Sequence, residues 1–224
     1  PDLELQARAL RVRAALLLQL EHTAEARTTA QQVIELRRRQ GAPAPVLAKA
    51  YSDYANAAMH GYDFKTAERY QQEALRLSES GGSPDPALRA DILLGLTGSA
   101  YYQNNMAGAA RFLDQAQAAA NALPGGDDFV QYRLHRYGMM VRHSQHRYAD
   151  ALRHAEQALA LAERVYGRNS RLTADMELYL ALLLDDLGRS REALPHYAQA
   201  QEACDRLRLC VVWKLFARTT KIVE

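Results

Sequence analysis

The sequence has few cysteines and no long apolar run. Each of these two absences excludes a class of protein. Its two cysteines, Cys204 and Cys210, lie six residues apart in a predicted helix. At 1.5 Å of rise per residue their Cα atoms would be about 9 Å apart, which is too far for a disulfide. We therefore expect buried, reduced thiols and a cytoplasmic protein. No segment approaches the ~18 apolar residues of a membrane helix, and the N-terminus lacks the pattern of a secretion signal.

Catalytic signatures are also missing. The sequence contains no GxxxxGK[ST] phosphate loop, no HExxH zinc motif and no GxSxG nucleophile turn. We expect no enzymatic activity, no cofactor and no metal. The densest histidine group is interpreted as surface histidines, with a pH-sensitive contact as the alternative, because a metal would need further ligands at helical spacing. Its members are His135, His143, His146 and His154.

Charge of one sign is not concentrated anywhere on the chain. The 28 basic and 26 acidic residues give a formal net charge of +2, and the basic residues are spread out apart from Arg37 to Arg39 and a mildly basic C-terminal segment. A nucleic-acid partner would require a basic face, so we expect none. Only four basic residues are lysines, and alanine is abundant, which fits a GC-rich bacterial genome. Because the sequence begins at Pro1 rather than methionine, we expect a fragment of a larger protein.

What the sequence does contain is a repeat. A small residue follows each predicted turn and recurs about every 42 residues: Ala26, Ala67, Ala109, Ala151 and Ala193. An independent marker, the glycine in each longer linker, recurs with the same period of about 42 residues: Gly41, Gly82, Gly125 and Gly167. In neither series does a step depart from that period by more than one position. Two separate features with one period predict a repeat architecture.

Helical periodicity fills the segments between these markers, and the alternation typical of strands is absent. Gly188 is predicted to end one helix and Ser190 to cap the next. We predict an all-α protein, an α-solenoid of about five antiparallel helix pairs in which stacking buries the faces that one pair cannot hide alone. The pairs are predicted at about 3–40, 46–80, 87–123, 129–166 and 172–208, and a capping helix or truncated sixth repeat at 209–224.

The second helix of each pair resembles that of the tetratricopeptide repeat. The fifth pair matches best, with the residues Leu180, Ala181, Leu184, Gly188, Ala193, Tyr197 and Ala200. The period is longer than the usual length of about 34 residues and is similar to that of kinesin light chains and many bacterial signalling proteins. HEAT and armadillo repeats share the period but lack this turn pattern. The resemblance implies a right-handed superhelix whose first helices line a concave groove that binds peptides, partner helices or domains.

The resemblance also implies which side chains face that groove, with ordinary solvated polarity as the alternative for each one. Asn56 could hold a peptide backbone because its amide both donates and accepts, and Tyr101 and Tyr132 could offer binding hot spots. Asp185 is also interpreted as part of a solvated helix end. The predicted groove residues are Lys49, Ser52, Asn56, His60, Tyr101, Tyr132, His135, Arg142, His143, Asp175 and Asp185.

A carboxylate clamp of the chaperone-binding kind is not expected, because Ser52, Gly95 and Tyr132 stand where that clamp needs Lys, Asn and Lys. The sequence favours a protein-interaction module, a fragment of a larger bacterial signalling or regulatory protein. The alternative is a domain that senses a ligand or pheromone peptide and controls an attached effector. Self-association through residues 209–223 is a third hypothesis.

Overall fold

A computed structural model describes residues 2–80 and 85–207, with Leu207 described by its backbone alone. These residues form ten α-helices and no strand. The helices are α1 (Leu3–Gln19), α2 (Thr23–Arg39), α3 (Ala44–His60), α4 (Phe64–Ser80), α5 (Pro86–Tyr102), α6 (Met106–Asn121), α7 (Asp128–Ser144), α8 (Tyr148–Tyr166), α9 (Arg171–Asp186) and α10 (Ser190–Leu207). The prediction of an all-α fold with five antiparallel helix pairs is confirmed. The predicted cap at 209–224 and the marker Gly82 lie outside the described residues.

Each helix pair closes through the same turn. One residue per turn adopts a left-handed backbone, with φ between 58° and 71°: Glu21, Tyr62, Asn104, His146 and Gly188. The amide of the following residue donates to the carbonyl five positions back, as Asp63 N does to Ala58 O at 3.0 Å. This is the hydrogen bond of a helix that ends in a Schellman motif. These residues follow one another at the same steps as the marker alanines, so the period seen in the sequence is the period of the turns.

The first helices begin at capping side chains. Asp2, Asp85, Asp127 and Ser170 each accept a hydrogen bond from a backbone amide in the first turn of α1, α5, α7 and α9. Helix α3 begins two residues earlier than predicted, at Ala44, and Pro45 lies inside its first turn. Proline is tolerated there because the amide that it lacks has no partner within the helix.

Alanine sets the distance between the two helices of a pair. The five alanines that mark the repeat are all 0 % exposed. With no side chain beyond Cβ, each lets its helix approach the partner closely, and larger residues fill the space on either side. The repeat marker in the sequence is therefore a packing position.

The chain divides into two compact units, residues 1–126 and residues 127–224. In the first unit, α2 packs against α3 and α4 against α5, so that the second helix of one pair covers the first helix of the next. Helices α3 and α5 also contact each other directly. In the second unit, α8 packs against α9 in the same way. We call the surface formed by α1, α3 and α5 the first-helix face of the first unit.

Candidate partner-binding surface

Four charged side chains connect the helices of the first-helix face. Arg11 Nε lies 2.8 Å from Asp53 Oδ2, and Lys49 Nζ lies 2.9 Å from Asp53 Oδ1 and 3.0 Å from Asp91 Oδ2. Burial opposes the charge of Lys49, but Asp91 and Asp53 outweigh that effect, and the pKa of Lys49 is raised. Positive and negative groups therefore alternate from α1 through α3 to α5 and neutralise one another.

This arrangement changes the roles expected for Lys49 and Ser52. Lys49 is committed to two carboxylates, so it has no free charge to offer to the C-terminus of a peptide. Ser52 is 0 % exposed, and its hydroxyl lies 3.4 Å from Asp91 Oδ2. The prediction of Ser52 as a surface contact is wrong, because the side chain is covered where α3 packs beside α5.

Asn56 lies beside the buried side chain of Gln71 on the same face. Its Oδ1 accepts a hydrogen bond of 3.4 Å from Nε2 of Gln71 on α4. Gln71 is 0 % exposed, and its Oε1 has no hydrogen-bond partner within the described residues. The space for the Gln71 side chain exists because residue 95 is glycine: a Cβ there would lie 2.3 Å from Gln71 Nε2. Asn56 itself is partly exposed.

Aromatic side chains cluster at the turn end of α3 and α5. Phe64 stacks on Tyr102 with ring centroids 4.9 Å apart, and Tyr101 meets Tyr102 edge-on at 5.4 Å. Tyr62 contacts Phe64 edge-on and is 82 % exposed. Tyr101 is partly exposed, and His60 is exposed at the end of α3. The predicted residues Asn56, His60 and Tyr101 are thus all accessible on this unit.

In the second unit, two predicted residues of the first helices are withdrawn from the surface to different degrees. Tyr132 is only 3 % exposed and packs edge-on against Tyr166 at 5.5 Å. Its prediction as an exposed hot spot is therefore wrong, because the ring fills space between α7 and α8. Asp175 on α9 is partly buried, and burial raises its pKa although Arg171 and Arg136 oppose the shift.

His135 and His154 form a pair across α7 and α8. Their Nδ1 atoms lie 2.9 Å apart, and both rings are partly buried. Burial lowers the pKa of His135, and burial followed by the charges of His135 and Arg142 lowers the pKa of His154 to about 4. The interpretation as surface histidines is wrong for these two and holds for His143 and His146, which are exposed.

The remaining predicted residues lie near the turns of the second unit. Arg142 Nη1 donates to Gln145 Oε1 at 3.1 Å. His143 Nε2 lies 2.8 Å from Asp186 Oδ2 and so connects α7 to α9. Asp185 accepts a hydrogen bond of 2.6 Å from the Tyr197 hydroxyl. Asp185 is partly exposed near the end of α9, and its carboxylate also ties α9 to α10.

One buried polar pair was missed at the sequence level. Glu177 on α9 is 5 % exposed, and its Oε2 lies 2.6 Å from Nδ1 of His196 on α10. Burial raises the pKa of Glu177, although His196 opposes the shift. The repeat period could have indicated this pair, because Glu177 stands one repeat after His135 and His196 stands one repeat after His154.

Two kinds of site are absent from the part of the chain that the structure describes. It contains no group of three or more His, Cys, Asp or Glu side chains that could hold a metal ion. None of its helices is both long and apolar enough to cross a membrane. Cys204 is buried, and Cys210 lies outside the described residues.

Comparison with known families supports the repeat assignment. Residues 133–206 match the family model for the tetratricopeptide repeat, and no curated protein sequence matches the chain. The resemblance stated from the sequence is thereby confirmed.

Several solved structures share the fold. BtubC (BKLC) from P. vanneervenii is 19 % identical with a TM-score of 0.63, over 82 % of this chain and 74 % of that one. Bacillus thuringiensis PlcR, solved with the peptide PapR7 and DNA, is 13 % identical with a TM-score of 0.68, over 98 % and 74 %. NprR, solved with its cognate peptide NprX, is 14 % identical with a TM-score of 0.76, over 100 % and 64 %. At these identities the similarity is one of fold alone.

Proposed function

We propose that this array of tetratricopeptide-type helix pairs is a protein-interaction module that binds an extended polypeptide on the first-helix face of its first unit. The observation that carries the proposal is the position of Asn56. Asn56 is partly exposed and stands beside the buried Gln71, between the charged groups of α3 and the aromatic cluster of α5. Fold neighbours solved with peptides support the same kind of role.

The charges of the face indicate what kind of polypeptide it accepts. Lys49, Asp53, Asp91 and Arg11 are already paired with one another, so a strongly charged partner gains little from them. An amide such as Asn56 can donate to and accept from a peptide backbone. Tyr101 and Tyr102 offer aromatic surface of the kind enriched in binding hot spots. The favoured ligand is therefore a peptide of low net charge that is recognised through its backbone and an apolar or aromatic side chain.

Selection of peptides from a displayed random library on the immobilised protein tests this proposal. Synthetic versions of the selected peptides are expected to bind with low net charge and little dependence on salt, because few new ion pairs form. We expect Asn56→Ala and Tyr101→Ala each to weaken binding by about tenfold or more. Gln72→Ala is the matched control, since Gln72 is an exposed amide on the outer helix α4, and it is expected to change nothing.

The opposite pattern would refute the proposal. If the selected peptides bind Asn56→Ala and Tyr101→Ala as tightly as the unaltered protein, the first-helix face is not the binding surface. If every selected peptide is highly acidic or basic and loses affinity steeply with salt, the inference of a neutral ligand is wrong.

A second candidate function is sensing, in which a bound peptide or small ligand acts on an attached effector domain in a bacterial signalling protein. The TM-scores of 0.76 and 0.68 to NprR and PlcR, both solved with peptides, favour it. A sensor ligand that binds the folded state alone raises thermal stability by mass action. Thermal unfolding against a library of metabolites tests the small-ligand form of this candidate, because an interaction scaffold is expected to respond to polypeptides only.

A further inference from the structure

An apolar stripe runs along the exposed side of α1. Leu5, Ala9, Val12 and Leu16 are spaced by four, three and four residues, which places them within one narrow sector of a helix that turns about 100° per residue. Leu5, Val12 and Leu16 are 65 %, 60 % and 53 % exposed, and Ala9 is exposed as well. We call these four residues the α1 stripe.

The opposite side of α1 is the side that packs. Ala7 and Ala14 are 1 % and 7 % exposed and lie about 180° from the centre of the stripe. Helix α2 packs on α1, so the buried alanines account for the contact with the partner helix of the same pair. The stripe is a second apolar face that this contact leaves open.

The same register is buried in the first helices of later pairs. Ala9 and Leu16 stand twelve and five positions before the left-handed turn residue Glu21. The residues at those two distances in α3, α5 and α9 are all between 0 % and 4 % exposed: Ala50 and Ala57, Ile92 and Ser99, Met176 and Leu183. Each of these helices is covered by the second helix of the pair before it, namely α2, α4 and α8. Ala9 and Leu16 of the α1 stripe are thus in the position that a covering helix takes elsewhere.

Charges on both sides of the stripe select the covering helix. Arg8 and Arg13 flank it, at about 70° on either side of its centre. Arg8 also pairs with Glu4 at 2.9 Å, but its side chain is still 73 % exposed. Within the first unit, Arg89 at the start of α5 pairs with Glu79 of the covering helix α4. At this place an arginine of a covered helix pairs with an acidic residue of its covering helix.

Two occupants from this chain are disfavoured by charge. A second copy that packed its own stripe against this one would bring Arg8 and Arg13 close to the same arginines. Residues 208–224 contain Arg208, Lys214, Arg218 and Lys221 against a single acidic residue, Glu224. Neither brings the acidic flanks that would complement the stripe.

We propose that the α1 stripe is a docking site for an amphipathic helix of a partner protein, with an apolar seam flanked by acidic residues. The helix lies along α1 as α2, α4 and α8 lie along the first helices that follow them. Its apolar side chains bury Leu5, Val12 and Leu16, and its carboxylates pair with Arg8 and Arg13. On α1, the first-helix face of the proposed function uses Arg11, which pairs with Asp53, whereas the α1 stripe consists of other residues of the same helix.

A pair of matched helical peptides tests the proposal. The probe is a fluorescein-labelled peptide of about 21 residues, long enough to be helical, with leucine at heptad positions a and d and glutamate at e and g. The control peptide has the same sequence except for lysine at positions e and g. By fluorescence anisotropy we expect the glutamate peptide to bind at least about tenfold more tightly than the lysine peptide. The preference is expected to invert with Arg8→Glu/Arg13→Glu.

Substitutions in the α1 stripe provide a second test of the proposal. Leu5→Glu and Leu16→Glu are expected to weaken binding by about tenfold or more, and both sites are exposed, so the fold is unaffected. Leu194→Glu is the control, because Leu194 on α10 is also a leucine with 65 % exposure, and it is expected to leave binding unchanged. Asn56→Ala is expected to leave it unchanged too, so this site and the proposed function can fail independently.

Several results would overturn the proposal. They are the absence of saturable binding by the glutamate peptide, equal binding of the lysine peptide, and an equal loss of binding with Leu194→Glu. Analytical ultracentrifugation could give one further result that overturns the proposal. A dimer of the unaltered protein that dissociates with Leu16→Glu would assign the stripe to a second copy of this chain instead.

Discussion

His135 and His154 face each other with their Nδ1 atoms 2.9 Å apart. A hydrogen bond at that distance requires one ring to donate and the other to accept, so the two Nδ1 atoms cannot both carry a proton. Gly138 makes the contact possible, because a Cβ at that position would lie 2.8 Å from the His154 ring. The pair therefore connects α7 to α8 only while at least one ring is neutral.

The contribution of the His135–His154 pair to the stability of the second unit should decrease as the pH falls. Burial holds the pKa of His154 near 4 and lowers that of His135, whereas a histidine in the unfolded chain titrates near 6.5. The unfolded state therefore binds more protons between about pH 6.5 and 4, and the free energy of unfolding falls with pH in that window. With allowance for partial exposure we expect a loss of about 1–2 kcal/mol, measured by urea denaturation with circular dichroism.

The control for this pH dependence is replacement of the histidines themselves. His154→Phe keeps a ring in place and should flatten the slope between pH 6.5 and 4. His22→Gln removes an exposed histidine of the first unit and should leave the slope as it is. An unchanged slope with His154→Phe would show that this pair is not its source.

Gly138→Ala should destabilise the protein although alanine favours helices. The added Cβ would meet Cε1 and Nδ1 of a ring that cannot bend away, and overpacking of this kind costs about 1–3 kcal/mol. The free energy of unfolding in urea is the measurement. Combining Gly138→Ala with His154→Ala should remove the penalty of the added Cβ, and persistence of that penalty in the double variant would contradict this assignment.

Replacement by alanine should affect stability differently at two glycines that lie at helix ends. Gly188 has φ of 71°, where a Cβ costs about 1–2 kcal/mol, so Gly188→Ala should lower the melting temperature. Gly61 has an ordinary φ of −86°, and a Cβ there would have its nearest neighbour at 3.5 Å, so Gly61→Ala should be neutral or slightly stabilising. Equal losses at both positions in a thermal melt would refute the role of the left-handed turn.

Lys49→Ala should cost stability and not only binding. Lys49 joins Asp53 to Asp91 on neighbouring helices, and its removal leaves partly buried carboxylates without their shared cation. We expect the free energy of unfolding to fall by about 1–3 kcal/mol. Lys65→Ala is the matched control, since Lys65 is an exposed lysine of the same unit, and it should change stability by less than about 0.5 kcal/mol.

Glu177→Gln should weaken the contact between α9 and α10. The carboxylate of Glu177 is nearly fully buried and lies 2.6 Å from His196, and breaking a buried pair on one side costs up to about 3–5 kcal/mol. Because the His196 side chain is 26 % exposed, we expect about 1–3 kcal/mol in urea denaturation. Glu192→Gln is the control, because it breaks an exposed pair with Arg189, and it should change stability little.

Sequence reasoning was most accurate where one residue governs its own backbone or a close contact. Gly188 stands just past the end of α9, as predicted, because caps, glycines and apolar periodicity act locally. The turn residues Glu21, Tyr62, Asn104 and His146 were not recognised as left-handed, because the strain is imposed by the geometry of the hairpin and not by the residue type. Gly188 was recognised because glycine adopts that conformation freely.

Prediction of the site residues was less accurate, because their exposure and their hydrogen bonds depend on other helices. Ser52 and Tyr132 occupy the helical positions expected of groove residues, yet neighbouring helices cover both of them. Asp185 was interpreted as part of a solvated helix end, yet the Tyr197 hydroxyl of α10 also reaches its carboxylate. The partners stand far away along the chain, so no local pattern marks the pairings.

By itself the sequence determined the helices, the period of the repeat and the alanines that set the close approach of each pair, since spacing along one helix decides which residues share a face. The tertiary structure alone decided which polar groups are paired and which apolar ones stay exposed. Arg11 meets Asp53 and the α1 stripe lies open because of what packs beside each helix. Solvent exposure depends on those neighbours, and it decides which charges and apolar groups a partner can reach.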